Sequence, residues 1–176
     1  LADEVCPHLP FYSLIVDFAC GNMRFAKFCA DKLNEFFLMG LDNNEELPKD
    51  FSGLELKNAG QKTGFIQADL SNGFDFSQFS ETPHLIVSFG FFHHIPSYEQ
   101  RLAILQQLID ATKDGGYVAI SLWQFMKDDK LAAKAQDSTK QALDYFDTQA
   151  EYQALTEIQE NDYFLGWDKQ ENVFRY

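Results

Sequence analysis

The sequence is poor in cysteine and in positive charge, and it has no long apolar run. Its three cysteines, Cys6, Cys20 and Cys29, are an odd number without metal-ligand spacing, which argues against a disulfide framework or a metal site. Lys and Arg total 14 against 27 Asp and Glu, and the net charge of −13 disfavours a nucleic-acid backbone as partner unless a local basic patch supplies the contacts. Without a stretch of roughly 18 apolar residues or a recognisable secretory signal, we expect a cytoplasmic protein with no membrane contact.

Short apolar runs alternate with amphipathic stretches along the chain. The runs predict five buried strands, which begin at Leu14, Phe36, Phe65, His84 and Tyr117. Helical spacing of apolar residues predicts helices over 23–33 and 97–111, and a polar helical stretch follows over 124–152. This alternation predicts an α/β fold: a Rossmann-like, doubly wound, mostly parallel sheet with helices on both faces. About two further strands of such a sheet have no clear counterpart, so we expect a truncated sheet or unusually placed last strands.

The end of the first strand is the first candidate binding site. In open α/β sheets ligands bind beyond the carboxyl ends of strands. Asp17 lies at this end, and the small residues after it let a ligand approach the backbone beside a helix N-terminus. The turn residues that we expect at a cofactor are Ala19, Cys20, Gly21 and Asn22.

Acidic residues follow the second and third strands. Asp42 lies 25 residues after Asp17, where a carboxylate can accept hydrogen bonds from vicinal ribose hydroxyls, and Asn43 is expected beside it. Asp69 can accept from an adenine amino group, while the N–H of Leu70 reaches the ring. An acid after the third strand and the absence of a Gly-x-Gly-x-x-Gly motif favour S-adenosylmethionine over a nicotinamide cofactor.

The segment after the fourth strand carries aromatic residues and two histidines. Phe89 and Gly90 are expected at the cofactor, since aromatic rings there favour a cation. His93 and His94 are the candidate catalytic residues, because a histidine can orient or deprotonate a methyl acceptor. A metal ion is not expected, since adjacent residues seldom converge on one ion.

The turn after the first strand resembles the first motif of the class I S-adenosylmethionine-dependent methyltransferases. That motif has the general form Asp-x-Gly-x-Gly-x-Gly, and residues 15–26 carry it with Ala19 at the first glycine position and Met23 at the third. Because methionine would crowd the cofactor there, we expect weakened binding. The resemblance covers 14–123 and implies this fold, S-adenosylmethionine as cofactor, and methyl transfer. It predicts one methyltransferase domain over 1–176, with a cofactor-binding core over 14–123 and a helical, aromatic-rich part over 124–176.

Shorter segments are similar to the tRNA wobble-uridine carboxymethyl methyltransferases of the yeast and animal type. These segments are His93-His94-Ile95, Arg101 to Leu105, Gly115-Gly116, 119–123, 162–167 and 174–176. The resemblance implies tRNA as partner, a carboxymethyl-uridine carboxylate as acceptor, and a small zinc-containing activator subunit. A carboxylate is ionised at pH 7, so its methylation needs positioning more than a base, and His93, His94 or Arg24 can pin it.

Two alternatives to this interpretation stay open. A small-molecule O- or N-methyltransferase fits the acidic charge better than a tRNA enzyme does. A non-catalytic scaffold that keeps the fold fits Ala19 and Met23, whereas the acids Asp42 and Asp69 argue against it.

Overall fold

The computed structural model describes Leu1, 3–44, Glu46, 56–149, 158–166 and 173–175. The chain forms two compact units. The first unit comprises 1–91 and 102–121, and the second comprises 92–101 and 122–176. That 1–176 form a single domain with a cofactor-binding core over 14–123 therefore stays a prediction.

The first unit is built on a five-stranded sheet. Its strands are β1 Ser13–Phe18, β2 Phe36–Asp42, β3 Gln61–Gln67, β4 Leu85–Ser88 and β5 Tyr117–Ile120. The spatial order is β3-β2-β1-β4-β5, and every neighbouring pair is parallel. The chain thus proceeds in one direction from β1 to β3 and in the other from β4 to β5. This arrangement confirms the predicted Rossmann-like parallel sheet and places its switch in strand order between β1 and β4.

Two helices connect these strands. Helix α1, Arg24–Lys32, follows β1, and helix α2, Tyr98–Ala111, precedes β5. Since their connections run in opposite directions along the sheet, right-handed crossovers place them on opposite faces. Residues of α1 pack with Ile15, Leu38 and Val87 in one core cluster. Alternate side chains of β1, such as Val16, point to the other face and are also buried.

The buried stripe of α2 differs from the one that the spacing suggests. Leu102, Leu105, Leu108 and Ile109 share a helical face by sequence, but the structure exposes about half of Leu102 and of Ile109. The fully buried side chains of this helix are Ile104 and Leu108. Apolar residues cover more than one stripe of α2, so periodicity alone does not identify the stripe that faces the sheet.

Strand β3 begins four residues before the predicted start at Phe65. Its first residue, Gln61, is buried, and its side-chain Nε2 donates to the carbonyl oxygens of Ala30 (3.0 Å) and Leu33 (2.7 Å). The Gln61 Oε1 accepts from the N–H of Lys57 at 2.7 Å. These bonds satisfy carbonyls at the C-terminal end of α1, which the helix itself leaves without partners. A polar residue therefore joins β3 to α1, which an apolar pattern does not predict.

The second unit contains helix α3, Asp129–Asp147, and a two-stranded antiparallel ribbon of β6, Leu165–Gly166, and β7, Phe174–Arg175. Asp128 caps α3 by accepting from the N–H groups of Lys130 and Leu131, both at 3.0 Å. The helix is shorter than the predicted stretch, and 150–152 lie outside the described residues. The ribbon is a sheet of its own, so the strands after β5 do not extend the main sheet in the part of the chain that is described.

Short 3₁₀ helices complete the described structure. They span Cys6–His8, Phe76–Gln78, Phe92–His94 and Phe125–Lys127. No helix among the described residues is long and apolar enough to cross a membrane.

Candidate cofactor-binding site

The turn after β1 has an unusual backbone. Ala19, Gly21 and Met23 have φ angles of 63°, 52° and 59°, so three alternate residues lie in the left-handed region. Only glycine enters this region freely, and other residues are strained there by roughly 1–2 kcal/mol each. These are the three positions at which the resembled motif carries glycine. The turn therefore keeps a glycine-type backbone although two of the glycines are replaced.

The side chain of Met23 lies in the core. A Cβ added to Gly40 of β2 would stand 2.6 Å from the Met23 sulfur and 2.9 Å from the Cys20 sulfur. The methionine thus occupies the space above a residue that has no side chain. This packing differs from the expected crowding of the cofactor, because it directs Met23 onto β2, where it is buried.

Asp42 ties the end of β2 to this turn. Its Oδ2 accepts from the N–H of Gly21 at 2.9 Å, and its Oδ1 accepts from the N–H of Asn44 at 3.1 Å. A Cβ added to Gly21 would meet no atom within 4 Å, so open space borders the turn at this point. A ligand can therefore approach both the Gly21 backbone and the Asp42 carboxylate.

A cavity of about 510 Å³ lies at the carboxyl ends of β1 and β4. It is lined by Leu1, Asp17, Ala19, Cys20, Arg24, Phe25, Phe28 and Phe89. Its volume falls within the range of small-molecule sites. The structure thus brings together four of the residues predicted to bind a cofactor, Asp17, Ala19, Cys20 and Phe89. The sequence reasoning did not find Phe28, and it assigned Phe25 only to the apolar face of the helix.

Three phenylalanine rings form one wall of this cavity. The Phe25 ring stacks on Phe28 with centroids 5.5 Å apart and meets Phe89 edge-on at 5.5 Å. Phe25 and Phe28 are three residues apart on α1, a spacing that is equally typical of a helix face packed in the core. Periodicity therefore could not separate a cavity wall from ordinary packing.

A family profile described as "Methyltransferase domain" matches residues 15–116. The chain belongs to the methyltransferase-domain family. A SAM-dependent methyltransferase from Methanosarcina mazei is similar in structure, with a TM-score of 0.61 and 19% identity over 76% of this chain and 64% of that one. DesVI from Streptomyces venezuelae has a TM-score of 0.53 and 21% identity over 72% of this chain and 50% of its own. At these identities the likeness shows the fold. No curated protein matches the chain.

Asp17 is a buried acid that lines this cavity. Its residue surface is 3% exposed, and burial, reinforced by the negative charge of Asp42, raises the pKa of Asp17 to about 7. A cation in the cavity would favour the ionised form of this carboxyl. Burial also raises the pKa of the Cys20 thiol, which keeps it protonated and excludes it as a nucleophile at neutral pH.

The other predicted cofactor residues lie around the loops of the methyltransferase domain. Asp69 is exposed, and its Oδ1 accepts from the N–H of Ser71 at 2.9 Å, which lowers the Asp69 pKa. Leu70 is buried, and Gly90, with a φ of 80°, donates its N–H to the Ser121 hydroxyl at 2.9 Å. The two remaining predicted residues, Asn22 and Asn43, are exposed. None of these five residues lines the cavity, and their part in binding stays a prediction.

The two histidines belong to the second unit. Their rings lie 4.1 Å apart, and His93 meets the Trp123 ring edge-on at 5.7 Å. A catalytic role for His93 and His94 stays a prediction. Trp167 and Tyr176, which carry part of the narrower resemblance, lie outside the described residues. The described residues contain no group of three or more His, Cys, Asp or Glu placed to hold a metal ion.

Replacing Asp17 by asparagine should make stability less dependent on pH. Because the Asp17 pKa is raised in the folded state, the folded protein keeps a proton that the unfolded chain releases. The free energy of unfolding therefore falls as the pH rises from about 4 to 7. Between about pH 5 and pH 8, urea unfolding should show that the free energy of unfolding falls by roughly 2–3 kcal/mol more in the wild type than in Asp17→Asn. Asp69→Asn, at an exposed acid, is the matched control and should follow the wild type. Equal pH slopes for wild type and Asp17→Asn would contradict this account of the buried carboxyl.

Proposed function

We propose that this chain binds S-adenosylmethionine in the cavity at the ends of β1 and β4 and transfers its methyl group to an acceptor. The observation that carries the proposal is the cradle formed by the Gly21 backbone and the Asp42 carboxylate at 2.9 Å, beside a cavity lined by Asp17 and aromatic rings. When bound, the cofactor supplies an electrophilic methyl group on a positively charged sulfur.

The cavity, together with the Gly21–Asp42 pair beside it, suits a ligand that carries both a ribose and positive charge. The Asp42 carboxylate has acceptor sites beyond the two backbone bonds it already makes, so vicinal hydroxyls can bind there. The rings of Phe25, Phe28 and Phe89 present π-electron density that attracts a cation. Ionised Asp17 adds a full negative charge to the cavity lining, where low exposure strengthens its effect.

Asp42→Ala should abolish most of the affinity for S-adenosylhomocysteine, which shares the ribose and adenine of the cofactor. Losing two charge-assisted hydrogen bonds costs about 2–3 kcal/mol or more, so calorimetry should show the dissociation constant rising at least about 30-fold. Asp42→Asn, whose side-chain oxygen can still accept from the Gly21 N–H, should lose less of this affinity. Asp110→Ala, at an exposed acid of α2, should bind as the wild type does. A wild type that binds no S-adenosylhomocysteine would instead favour the non-catalytic scaffold.

We extend the proposal to the acceptor, as the carboxylate of a carboxymethyl-uridine in tRNA. The support is the resemblance of short segments together with the His93–His94 pair beside Trp123 within the second unit. An ionised carboxylate has no proton to lose, so these histidines would position it rather than act as bases. The competing candidate is a small-molecule acceptor, and the net charge of −13 favours it.

The acceptor proposal predicts labelled methyl ester in tRNA. The purified chain, with its activator subunit where one co-purifies, is incubated with radiolabelled cofactor and bulk tRNA from cells that lack wobble esters. Digestion to nucleosides should give one labelled uridine derivative, and mild alkali should release the label because esters hydrolyse readily. His94→Ala should reduce the yield of the labelled uridine derivative, and the control Lys127→Ala should leave that yield unchanged. Label on small carboxylic acids with none in nucleosides would contradict the tRNA proposal.

A further inference from the structure

A second cavity, of about 180 Å³, lies entirely within the second unit. Its walls include the rings of His93, Trp123, Phe125 and Tyr163. An apolar cavity of about 150 Å³ in another protein holds one benzene molecule. The volume therefore suits a single six-membered ring with a short substituent.

The aromatic rings that line the cavity are inclined to one another. The planes of Trp123 and Phe125 cross at 54° with centroids 5.1 Å apart, and those of Phe125 and Tyr163 cross at 86° at 5.7 Å. Trp123 meets His93 at 70°. Inclined rings present both faces and edges toward their surroundings, which are the two geometries that a guest aromatic ring prefers. Trp123 is about half exposed, so this side of the cavity is open to entry.

The polar wall of the cavity is an ion pair between the partly exposed Arg101 and the buried Asp162. Arg101 Nη1 donates to Asp162 Oδ1 at 3.0 Å and to the carbonyl oxygen of Ile95 at 2.8 Å, while Asp162 Oδ2 accepts from the N–H of Ser97 at 3.4 Å. The Asp162 side chain is 2% exposed. Since the two charges neutralise each other, the wall offers fixed dipoles without net charge. A carboxylate buried there would lose hydration with no opposite charge to compensate, whereas a neutral ring with a polar edge would not.

We propose that this cavity binds one planar, uncharged six-membered ring that carries at most a short substituent. Ring binding depends only on residues of the second unit, so it is independent of the proposed methyl transfer.

Fluorescence of Trp123 tests ring binding directly. The chain has two tryptophans, so a Trp167→Phe background assigns the signal to Trp123. Phenol and uridine, added without cofactor, should change this fluorescence in a saturable way. Benzoate, which has the same ring as phenol but a charge, should bind at least about fivefold more weakly. Equal binding of phenol and benzoate would overturn the assignment to an uncharged ring.

Two variants in the aromatic wall and one outside it locate the binding. Phe125→Leu and Tyr163→Leu each remove a ring face and should weaken phenol binding at least about fivefold. Phe11→Leu, at an exposed aromatic residue of the first unit, should leave it unchanged. Circular dichroism identifies any variant that fails to fold, and the other variant then decides. If neither folded wall variant differs from Phe11→Leu, the cavity is not the site and the inference fails.

The same samples separate this inference from the proposed function. A protein that binds S-adenosylhomocysteine by calorimetry but shows no change in Trp123 fluorescence with any ring compound would overturn the inference and leave the cofactor site standing. A protein that binds rings but no S-adenosylhomocysteine would overturn the proposed methyl transfer and leave the inference about the ring standing.

Discussion

The hydrogen bond from the Gly21 N–H to the Asp42 carboxylate joins the ends of β1 and β2, and the candidate site depends on it. The ends of β1 and β2 lie together because the two strands are parallel neighbours whose carboxyl ends reach the same edge of the sheet. The turn after β1 lines the cavity with Ala19 and Cys20, and Asp42, the acid proposed to bind a ribose, lies within hydrogen-bonding distance of the turn backbone at Gly21. A parallel sheet with its switch at β1 and β4 thus determines where binding can occur.

The replaced glycines of the turn show how packing offsets backbone strain. Ala19 and Met23 take left-handed angles at a cost of roughly 1–2 kcal/mol each. Burying a methionine side chain contributes a similar amount, about 1.5–3 kcal/mol, and the bare Gly40 on β2 leaves room for it. The strain at Met23 is therefore balanced by its own packing. Departure from the glycine motif is compatible with the turn geometry that the motif serves.

The sequence was sufficient for the sheet and for much of the cavity, since short apolar runs ending in Asp17 and Asp42 mark strand ends whatever the details of packing. It was insufficient where a polar residue stabilises the fold, as Gln61 does at the start of β3 by donating to two carbonyl oxygens at the end of α1. Nor could it distinguish Phe28 in a cavity wall from a core residue, because helical spacing is the same for both. A separate part over 124–176 was predicted, but the grouping of 92–101 with it was not, since no change in composition marks these residues.

Amide chemical shifts recorded while S-adenosylhomocysteine is added test the central claim most directly, namely that the turn after β1 and Asp42 hold the cofactor. We predict that the N–H signals of Gly21, Ala19 and Asn44 shift together and saturate at one ligand per chain, because all three lie at the turn or on the Asp42 carboxylate. Saturable shifts that leave these three signals in place and affect the opposite ends of the strands, near Tyr12 and Phe37, would contradict the account.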